Sequence, residues 1–292
     1  MSISPLLLYN DAMTELKSVF LQNMFVQSPE AVAEKTLHAQ VLCTLLQSLC
    51  REEADVDLKL TILKIIAHLA LEKKAAESMS ENDAVISSVV AVLLNPNNGV
   101  TVKHAACGTL QLISASSLDN KNKILEAGGV AAAVAAVNTL PDNVGMIESA
   151  FGLIKELFLA ADSNGEDAAA KWFIADHNGK NILLSAMIEH SDNSTVQMAA
   201  CGVIAYIPFE KSDDTDKDVA LAHAILRAMK NHPNSAVVQI AAVEALLELA
   251  THLASVRKLL LLKDNSAQEL LLHAKSIARA CTTDVDDLLA IF

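Results

Sequence analysis

The stretch MIESAFGLIKEL, residues 146–157, contains the pattern that decides the fold of this chain. Counted from Met146, apolar or small side chains recur four, five, eight and eleven residues later. These steps return to the same side of an α-helix, because an α-helix has about 3.6 residues per turn. The stretch therefore predicts a helix that buries one stripe. The small side chain of Ala150 within that stripe predicts the close approach of a neighbouring helix.

The same stripe occurs five times along the chain, at intervals of about 44 residues. The five copies begin at Leu58, Val102, Met146, Val196 and Val238. Their later stripe positions carry Ile62, Leu63, Ile66 and Leu69; Ala106, Cys107, Leu110 and Ile113; Ala150, Phe151, Ile154 and Leu157; Ala200, Cys201, Ile204 and Ile207; and Ala242, Val243, Leu246 and Leu249. Helical units repeated at this length bury their apolar faces against neighbouring units, which is typical of a solenoid. We therefore expect an all-α chain.

The repeats also predict where the units begin and end. The five equivalent helices are expected near residues 58–71, 101–115, 144–160, 194–208 and 236–251. Residues 1–57 are interpreted as N-terminal capping helices, residues 58–282 as repeats that form one continuous solenoid with this cap, and residues 283–292 as an acidic and apolar tail. The tail has two interpretations. It is either the end of a capping helix packed on residues 270–277, or a peptide that docks on a partner.

A complete unit is visible between residues 120 and 160. It consists of a short glycine-ended helix, a second helix, a turn and a third helix, at Lys121–Gly129, Val130–Leu140, Pro141-Asp142 and Gly145–Ala160. Glycine suits the end of a helix because it adopts the left-handed conformation without steric strain. The same plan recurs at residues 168–209, where WFIADHNG, residues 172–179, takes the place of the short helix. Trp172 is expected to fill the core there.

These residues resemble the armadillo repeat. The unit of that family reads Asn-x-x-x-Ile-x-x-Ala-Gly-Gly, an apolar helix, a Pro-Asp-like turn and then Val-x-x-x-Ala-Ala. ILEAGG at residues 124–129 and Pro141-Asp142 are similar to it, as are Ala105-Ala106 and Ala199-Ala200. The resemblance covers roughly residues 35–280. It implies a right-handed superhelix whose third helices line a concave groove. HEAT repeats have two-helix units and do not account for the short glycine-ended helix.

The residues six and ten positions after the start of each stripe lie on the opposite side of the third helix, about one turn apart. The resemblance implies that they face the groove. Position six carries Lys64, Gly108, Gly152, Gly202 and Glu244, and position ten carries His68, Leu112, Glu156, Tyr206 and Glu248. Met198, Leu159 and Phe209 are expected around the floor. In importin-α, the nuclear-import branch of the family, these positions resemble a ladder of tryptophan and asparagine. This chain departs from that ladder, so we expect no importin-type recognition.

Three glycines in succession at position six have two interpretations. Glycine inside a helix costs roughly 0.5–1 kcal/mol relative to alanine, so its use here calls for a reason. Either the glycines allow adjacent third helices to pack closely, or they form a groove floor without side chains on which the backbone or a helix of a partner can lie. With the surrounding glutamates, such a floor suits an amphipathic helix or an extended peptide with basic flanks.

Composition and charge exclude several classes of partner. The formal net charge is −13, and a negative surface repels phosphate backbones, so we expect no nucleic-acid partner. No apolar run approaches the ~18–20 residues that crossing a bilayer requires, and the first nine residues lack the basic segment of a secretory signal. The five cysteines include no CxxC pair, which favours a reducing compartment. We expect the cytoplasm, with the nucleus as the alternative.

The sequence contains no recognisable catalytic, cofactor or metal motif. The histidines, including His68 and His104 near the expected groove, show no metal-ligand spacing. Residues 212–218, SDDTDKD, superficially resemble a calcium loop but lack its glycine and its final glutamate. We therefore expect no enzyme and no cofactor, but a scaffold or adaptor that binds a protein or peptide segment. The alternative is a co-chaperone similar to the armadillo-type nucleotide-exchange factors of heat-shock chaperones. The sequence leaves the oligomeric state open.

Overall fold

The computed structural model of the chain describes residues 56–71, 83–159, 170, 173–174, 178–209, 216–262, 266–278 and 282–291. The predicted capping helices before residue 56, Trp172 and residues 212–215 of the acidic loop lie outside this part of the chain.

The described residues form thirteen α-helices and no β-strand, which confirms the predicted all-α class. The helices are α1 (Val56–Ala70), α2 (Asp83–Leu94), α3 (Val100–Ser116), α4 (Leu118–Glu126), α5 (Gly129–Thr139), α6 (Val144–Phe158), α7 (Gly179–Glu189), α8 (Ser194–Ile204), α9 (Asp216–Asn231), α10 (Ala236–His252), α11 (Ala254–Leu260), α12 (Ala267–Ile277) and α13 (Thr282–Leu289).

The helices are arranged in stacked layers. The predicted third helices α1, α3, α6, α8 and α10 contact one another in chain order, and α13 packs against α10 at the end of the row. Second helices form a layer behind them, in which α2 contacts α5, and α9 contacts both α7 and α12. Each unit therefore buries its apolar surface against the next unit along the chain, as a solenoid does.

The five third helices lie where the stripe predicts them, with one difference at an end. The helix expected to reach residue 208 ends at Ile204 and continues only as a turn, in which the Ile207 N–H donates to the carbonyl oxygen of Ile204 at 3.1 Å. Pro208 explains this end, because proline has no amide hydrogen and disfavours the helical conformation of the residue before it.

The stripe itself forms the core. Every stripe residue except Leu58, which is half-buried, has no more than a few per cent of its surface exposed. Four of the five residues at the second stripe position are alanine, and all five are fully buried. These small side chains let the third helices approach closely, while the larger stripe residues fill the space between the layers.

The Ala-Gly-Gly motif has a different physical requirement at each glycine. Gly128 has a φ of 83°, which is the left-handed conformation that follows the short helix α4. At Gly129 an added Cβ would collide with the side chain and backbone of Ile124. In the next unit Asn178 takes the left-handed position with a φ of 53°, and Gly179 leaves room for the ring of Phe173. The predicted short glycine-ended helix is therefore confirmed for α4.

Two kinds of polar contact hold the turns between second and third helices. Asn143 and Asn193 cap α6 and α8, since their side chains accept the N–H groups of Met146 at 2.9 Å and Val196 at 3.1 Å. Gln197, in the first turn of α8, donates from its side chain to the carbonyl oxygens of Met187 at 3.0 Å and His190 at 2.9 Å. The second contact ties the end of α7 to the start of α8. The equivalent Gln239 makes the same pair of bonds between α9 and α10.

Histidine side chains connect successive units at these turns. Nε2 of His190 lies 2.8 Å from the carbonyl oxygen of Pro141, and Nε2 of His232 lies 2.9 Å from that of Ser191. Nε2 of His273 lies 2.9 Å from the carbonyl oxygen of Pro233. Since a carbonyl oxygen only accepts hydrogen bonds, each Nε2 carries the proton. These hydrogen bonds provide a partner for carbonyl oxygens of the turns, which accept no hydrogen bond from within a helix.

The C-terminal segment packs on its own chain. Val285 and Leu288 of α13 are fully buried, and α13 contacts both α12 and α10. Lys275 of α12 forms an ion pair with Asp286 of α13. Of the two interpretations of the tail, the described residues therefore agree with the capping helix, while Phe292 lies outside them.

We expect Ile154→Ala to lower the free energy of unfolding by ~2–5 kcal/mol, because Ile154 is fully buried between the layers and its truncation leaves a cavity. Ile188→Ala is the matched control, since 52% of Ile188 is exposed. It should cost less than ~1 kcal/mol. Urea denaturation followed by circular dichroism measures both. Equal losses for the two variants would show that the stripe does not form the core.

Candidate partner-binding groove

The third helices border a depression on the side opposite their buried stripe. It has a volume of about 320 Å³ and is lined by residues of α3, α6, α8 and α10. Because these four helices are consecutive in the row, the depression crosses three repeat interfaces. It is therefore a feature of the row and not of any single repeat.

The depression contains part of the predicted groove set. Five predicted residues line it: Gly152, Glu156, Met198, Gly202 and Glu244. Tyr206 and Glu248 line a second depression of about 420 Å³ at the C-terminal ends of α6, α8 and α10, together with Leu159 and Phe209. The other four predicted residues, Lys64, His68, Gly108 and Leu112, belong to α1 and α3 and line neither depression.

The prediction from sequence omitted one row of groove residues. Gln111 and Lys155, nine positions after the start of their stripes, line the depression, and so do His104 and Glu148 at position two. Positions two, six and nine are four and three residues apart, so they share a helix face with the predicted glycines. Of these positions, the sequence had indicated His104 near the groove and Met198, also at position two, around its floor, while position nine was not predicted.

The omitted row explains what the glycines do. A Cβ added at Gly152 would lie 3.0 Å from Nε2 of Gln111, and one added at Gly202 would lie 3.3 Å from Cδ of Lys155. At both glycines the nearest atoms belong to the side chain at position nine of the preceding third helix, and none is backbone. At Gly108 no side chain or neighbouring backbone of the described residues lies within 4 Å of the added Cβ. The preceding residue at position nine is Ala67, which is too short to cross.

Neither interpretation of the glycines holds for all three positions. The backbones of adjacent third helices do not approach the glycines, so close backbone packing does not account for them. An open floor is present at Gly108. At Gly152 and Gly202 the floor is covered by flexible polar side chains of the protein itself, which a ligand can displace at less cost than packed backbone.

Negative charge predominates in the depression. Three glutamates and one lysine line it, the glutamates being Glu148, Glu156 and Glu244. Burial raises the pKa of the Glu244 carboxyl; Lys155 lowers it and Asp284 raises it further. Burial also raises the pKa of Tyr206, and the carboxylates of Glu244 and Glu156 add to this rise. The pKa shifts therefore indicate that these groups act on one another across α6, α8, α10 and α13.

The second depression gathers aromatic rings in a chain that has few of them. Phe158, Tyr206 and Phe209 line it, and the ring of Phe158 meets that of Phe173 edge-on at 5.6 Å between centroids. Two lysines lie over these rings: Nζ of Lys155 is 5.9 Å from the centre of Tyr206, and Nζ of Lys180 is 5.2 Å from that of Phe209. Two of these rings therefore make cation–π contacts with lysines of the protein itself.

Several other kinds of site are not found in the described residues. No three or more histidine, cysteine, aspartate or glutamate side chains of this part of the chain come together as a metal site. Burial raises the pKa of the Cys107 and Cys201 thiols to about 12, so neither is a reactive thiolate at neutral pH. No helix among the described residues has both the length and the apolar character that crossing a membrane requires.

Comparison with known proteins supports the fold alone. No protein-family model matches the chain, and no curated protein matches it by sequence. A designed armadillo repeat protein in complex with the peptide (KR)4 is similar in structure, with a TM-score of 0.63, 18% identity, and coverage of 86% of this chain and 99% of that one. A second designed armadillo repeat protein gives a TM-score of 0.61 at 18% identity, covering 84% of this chain and 99% of its own. An engineered protein gives a TM-score of 0.64 at 18% identity, covering 84% and 98%. The chain thus has the armadillo-type fold, a right-handed superhelix of helical repeats.

We expect Gly108→Ala to raise the free energy of unfolding by about 0.5–1 kcal/mol, because its Cβ enters open space and alanine favours the helix. Gly128→Ala should lower the same quantity by roughly 1–2 kcal/mol, since Gly128 is left-handed. The pair makes the same chemical change in two backbone conformations, and thermal and urea denaturation measure it. A loss of stability in Gly108→Ala would contradict the open floor.

Proposed function

We propose that the protein is a non-enzymatic repeat scaffold that holds a protein or peptide segment rich in lysine or arginine along its row of third helices. The observation that carries the proposal is the acidic depression between α3, α6, α8 and α10, with its three glutamates and its single lysine. An acidic groove attracts cationic segments over distances of about 10 Å at moderate salt. This attraction speeds association of the segment with the protein and helps to fix its position along the groove.

The shape of the surface supports an elongated ligand. The two depressions lie on the same three helices α6, α8 and α10, one around their middle turns and the other at their C-terminal ends. Helix C-termini carry partial negative charge, which favours a cation beside the aromatic rings there. A segment that spans both depressions would place apolar stems on Tyr206 and Leu159, which are 39% and 40% exposed.

The structural neighbours support a basic ligand in a limited way. The designed armadillo repeat protein with a TM-score of 0.63 is in complex with the peptide (KR)4. At 18% identity this likeness shows the fold, and the ligand is carried over to the present chain only as a proposal. The importin-type ladder of tryptophan and asparagine is absent from the predicted positions. We therefore propose that carboxylates and aromatic rings recognise the segment here, not an asparagine ladder.

The proposal places the protein in a reducing compartment, the cytoplasm or the nucleus. Cys107 and Cys201 are free thiols at equivalent positions of the buried stripe, where they act as small apolar side chains. The proposed activity is that of an adaptor: it lowers the free energy of the bound segment and forms or breaks no covalent bond. The number of copies in the functional assembly is left open.

We expect fluorescence anisotropy to show saturable binding of a labelled (Lys-Arg)4 peptide, weaker at higher salt because the charges are then screened. A labelled (Asp-Glu)4 peptide should not bind. Glu244→Gln should weaken binding of the basic peptide about 3- to 10-fold, which is the range for one partly exposed ion pair.

The matched control is Glu269→Gln, which removes the same charge from an exposed position on α12, outside the groove. It should change affinity less than about 2-fold, since a screened distant charge contributes little. Equal losses in both variants would mean that the peptide senses only net charge. Equal binding of the basic and acidic peptides would overturn the proposed ligand class.

We expect no retention of DNA or RNA in gel-shift experiments at physiological salt. The net charge of −13 and the glutamates of the groove repel the phosphate backbone. Bovine serum albumin, also acidic, serves as the control for non-specific retention. Binding of any oligonucleotide at micromolar protein concentration would contradict this expectation.

A further inference from the structure

Lys155 reaches across the groove from α6 to α8. Its Cδ lies 3.3 Å from the place where a Cβ of Gly202 would be, so its stem rests on the α8 backbone at the glycine. Its Nζ lies 5.9 Å from the centre of the ring of Tyr206, which belongs to the turn that follows α8. The glycine makes this path possible, because a side chain at position 202 would meet the lysine stem. The ammonium thus occupies the aromatic rim of the depression.

The surroundings of Lys155 are those of a bound cation. Among the described residues it is the one lysine or arginine that lines the depression, which it shares with Glu148, Glu156 and Glu244. Lys155 lowers the pKa of the Glu244 carboxyl against the opposing effects of burial and of Asp284. The lysine therefore partly neutralises the Glu244 carboxylate of α10.

The neighbouring step of the row provides a comparison. Gln111 crosses from α3 to α6 over Gly152 in the same way that Lys155 crosses over Gly202. The geometry of the two crossings is shared, while the charge is present only at the second. The crossing at Gly202 is also the one that ends at an aromatic ring. Charge and ring together distinguish the Lys155 position from a side chain that merely covers a glycine.

We propose that Lys155 is a tethered occupant of the cation position in this groove, and that a partner binds by replacing it with a lysine or arginine side chain over Gly202 and Tyr206. This inference rests on the proposed function and names the contact that selects the partner. Because the partner's lysine or arginine takes the place of Lys155, the Glu244 carboxylate has a positive charge nearby before and after binding. An acidic or apolar residue cannot make this replacement without leaving Glu244 uncompensated, which disfavours such partners.

Arginine is the better replacement for Lys155. Its planar guanidinium stacks on an aromatic ring and donates two parallel hydrogen bonds to a carboxylate, whereas an ammonium acts as a point charge. Lys155 is half-buried, so its return to solvent costs little compared with the release of a buried charge. A free cation from solvent therefore does not displace Lys155, whereas a segment that contains arginine does.

The test is Lys155→Met, which keeps an unbranched stem over Gly202 and removes only the charge. We expect the labelled (Lys-Arg)4 peptide to bind this variant about 3- to 10-fold more tightly than the wild-type protein. This is the range for removing one exposed cation–π contact with Tyr206 and the screened attraction to Glu244. The matched control is Lys230→Met, at an exposed position on α9 outside the groove. It should change affinity less than about 2-fold.

The outcomes separate this inference from the proposed function. If the wild-type protein binds the peptide and Lys155→Met binds it no better, or no better than Lys230→Met, the competition is refuted while the function stands. If none of the proteins binds the peptide, the basic-ligand function is overturned. In that case NMR titration of the Glu244 carboxyl still decides whether Lys155 occupies the position. Its pKa should be higher in Lys155→Met than in wild type, and an unchanged pKa would refute the occupancy as well.

Discussion

The burial of an apolar stripe on the third helix of each repeat is the interaction on which the rest of the structure depends. The stripe-bearing helices α3, α6, α8 and α10 each have a neighbouring helix of the row on both sides, so each repeat depends on its neighbours for the burial of its stripe. Alanine at the second stripe position permits close approach of the helices, while residues such as Phe151 and Ile154 fill the space behind them. The helix faces that remain outside this core necessarily line up along the row. The groove is thus a geometric consequence of the packing.

The turns make this packing regular. Gln197 and Gln239 each tie the end of a second helix to the start of the next third helix, and they do so through the same pair of carbonyl positions. His190 and His232 connect one turn to the turn of the preceding unit, and His273 connects α12 to the turn at Pro233. These bonds satisfy backbone carbonyls that the helix ends leave unpaired. Because the same contacts recur, the offset between units is similar at successive steps, and the groove side chains form rows.

The side chains that interact in the groove come from several successive repeats and not from any single one. Lys155 belongs to α6, and the Tyr206 ring over which it lies belongs to the turn after α8. The Glu244 carboxylate, whose pKa Lys155 lowers, belongs to α10. Among the described residues, the depression between α3, α6, α8 and α10 combines one lysine with three glutamates, and that lysine lies over the exposed ring of Tyr206. Under the proposed function, this surface recognises charged side chains, and Lys155 is the cation that a ligand has to replace.

The sequence by itself determined the fold class, the number of stripe-bearing helices and nearly all of their ends, because a 3.6-residue period and a fixed repeat length are local properties of the chain. It also indicated that one face of each helix is outside the core. It did not reveal that Gln111 and Lys155 cross to the glycines of the next helix. Nor did it reveal that, of Gly108, Gly152 and Gly202, the first has open space above it among the described residues. Those contacts join residues more than 40 positions apart, and they depend on the offset between neighbouring helices. Only the tertiary packing decides that offset, and with it which side chain covers which glycine.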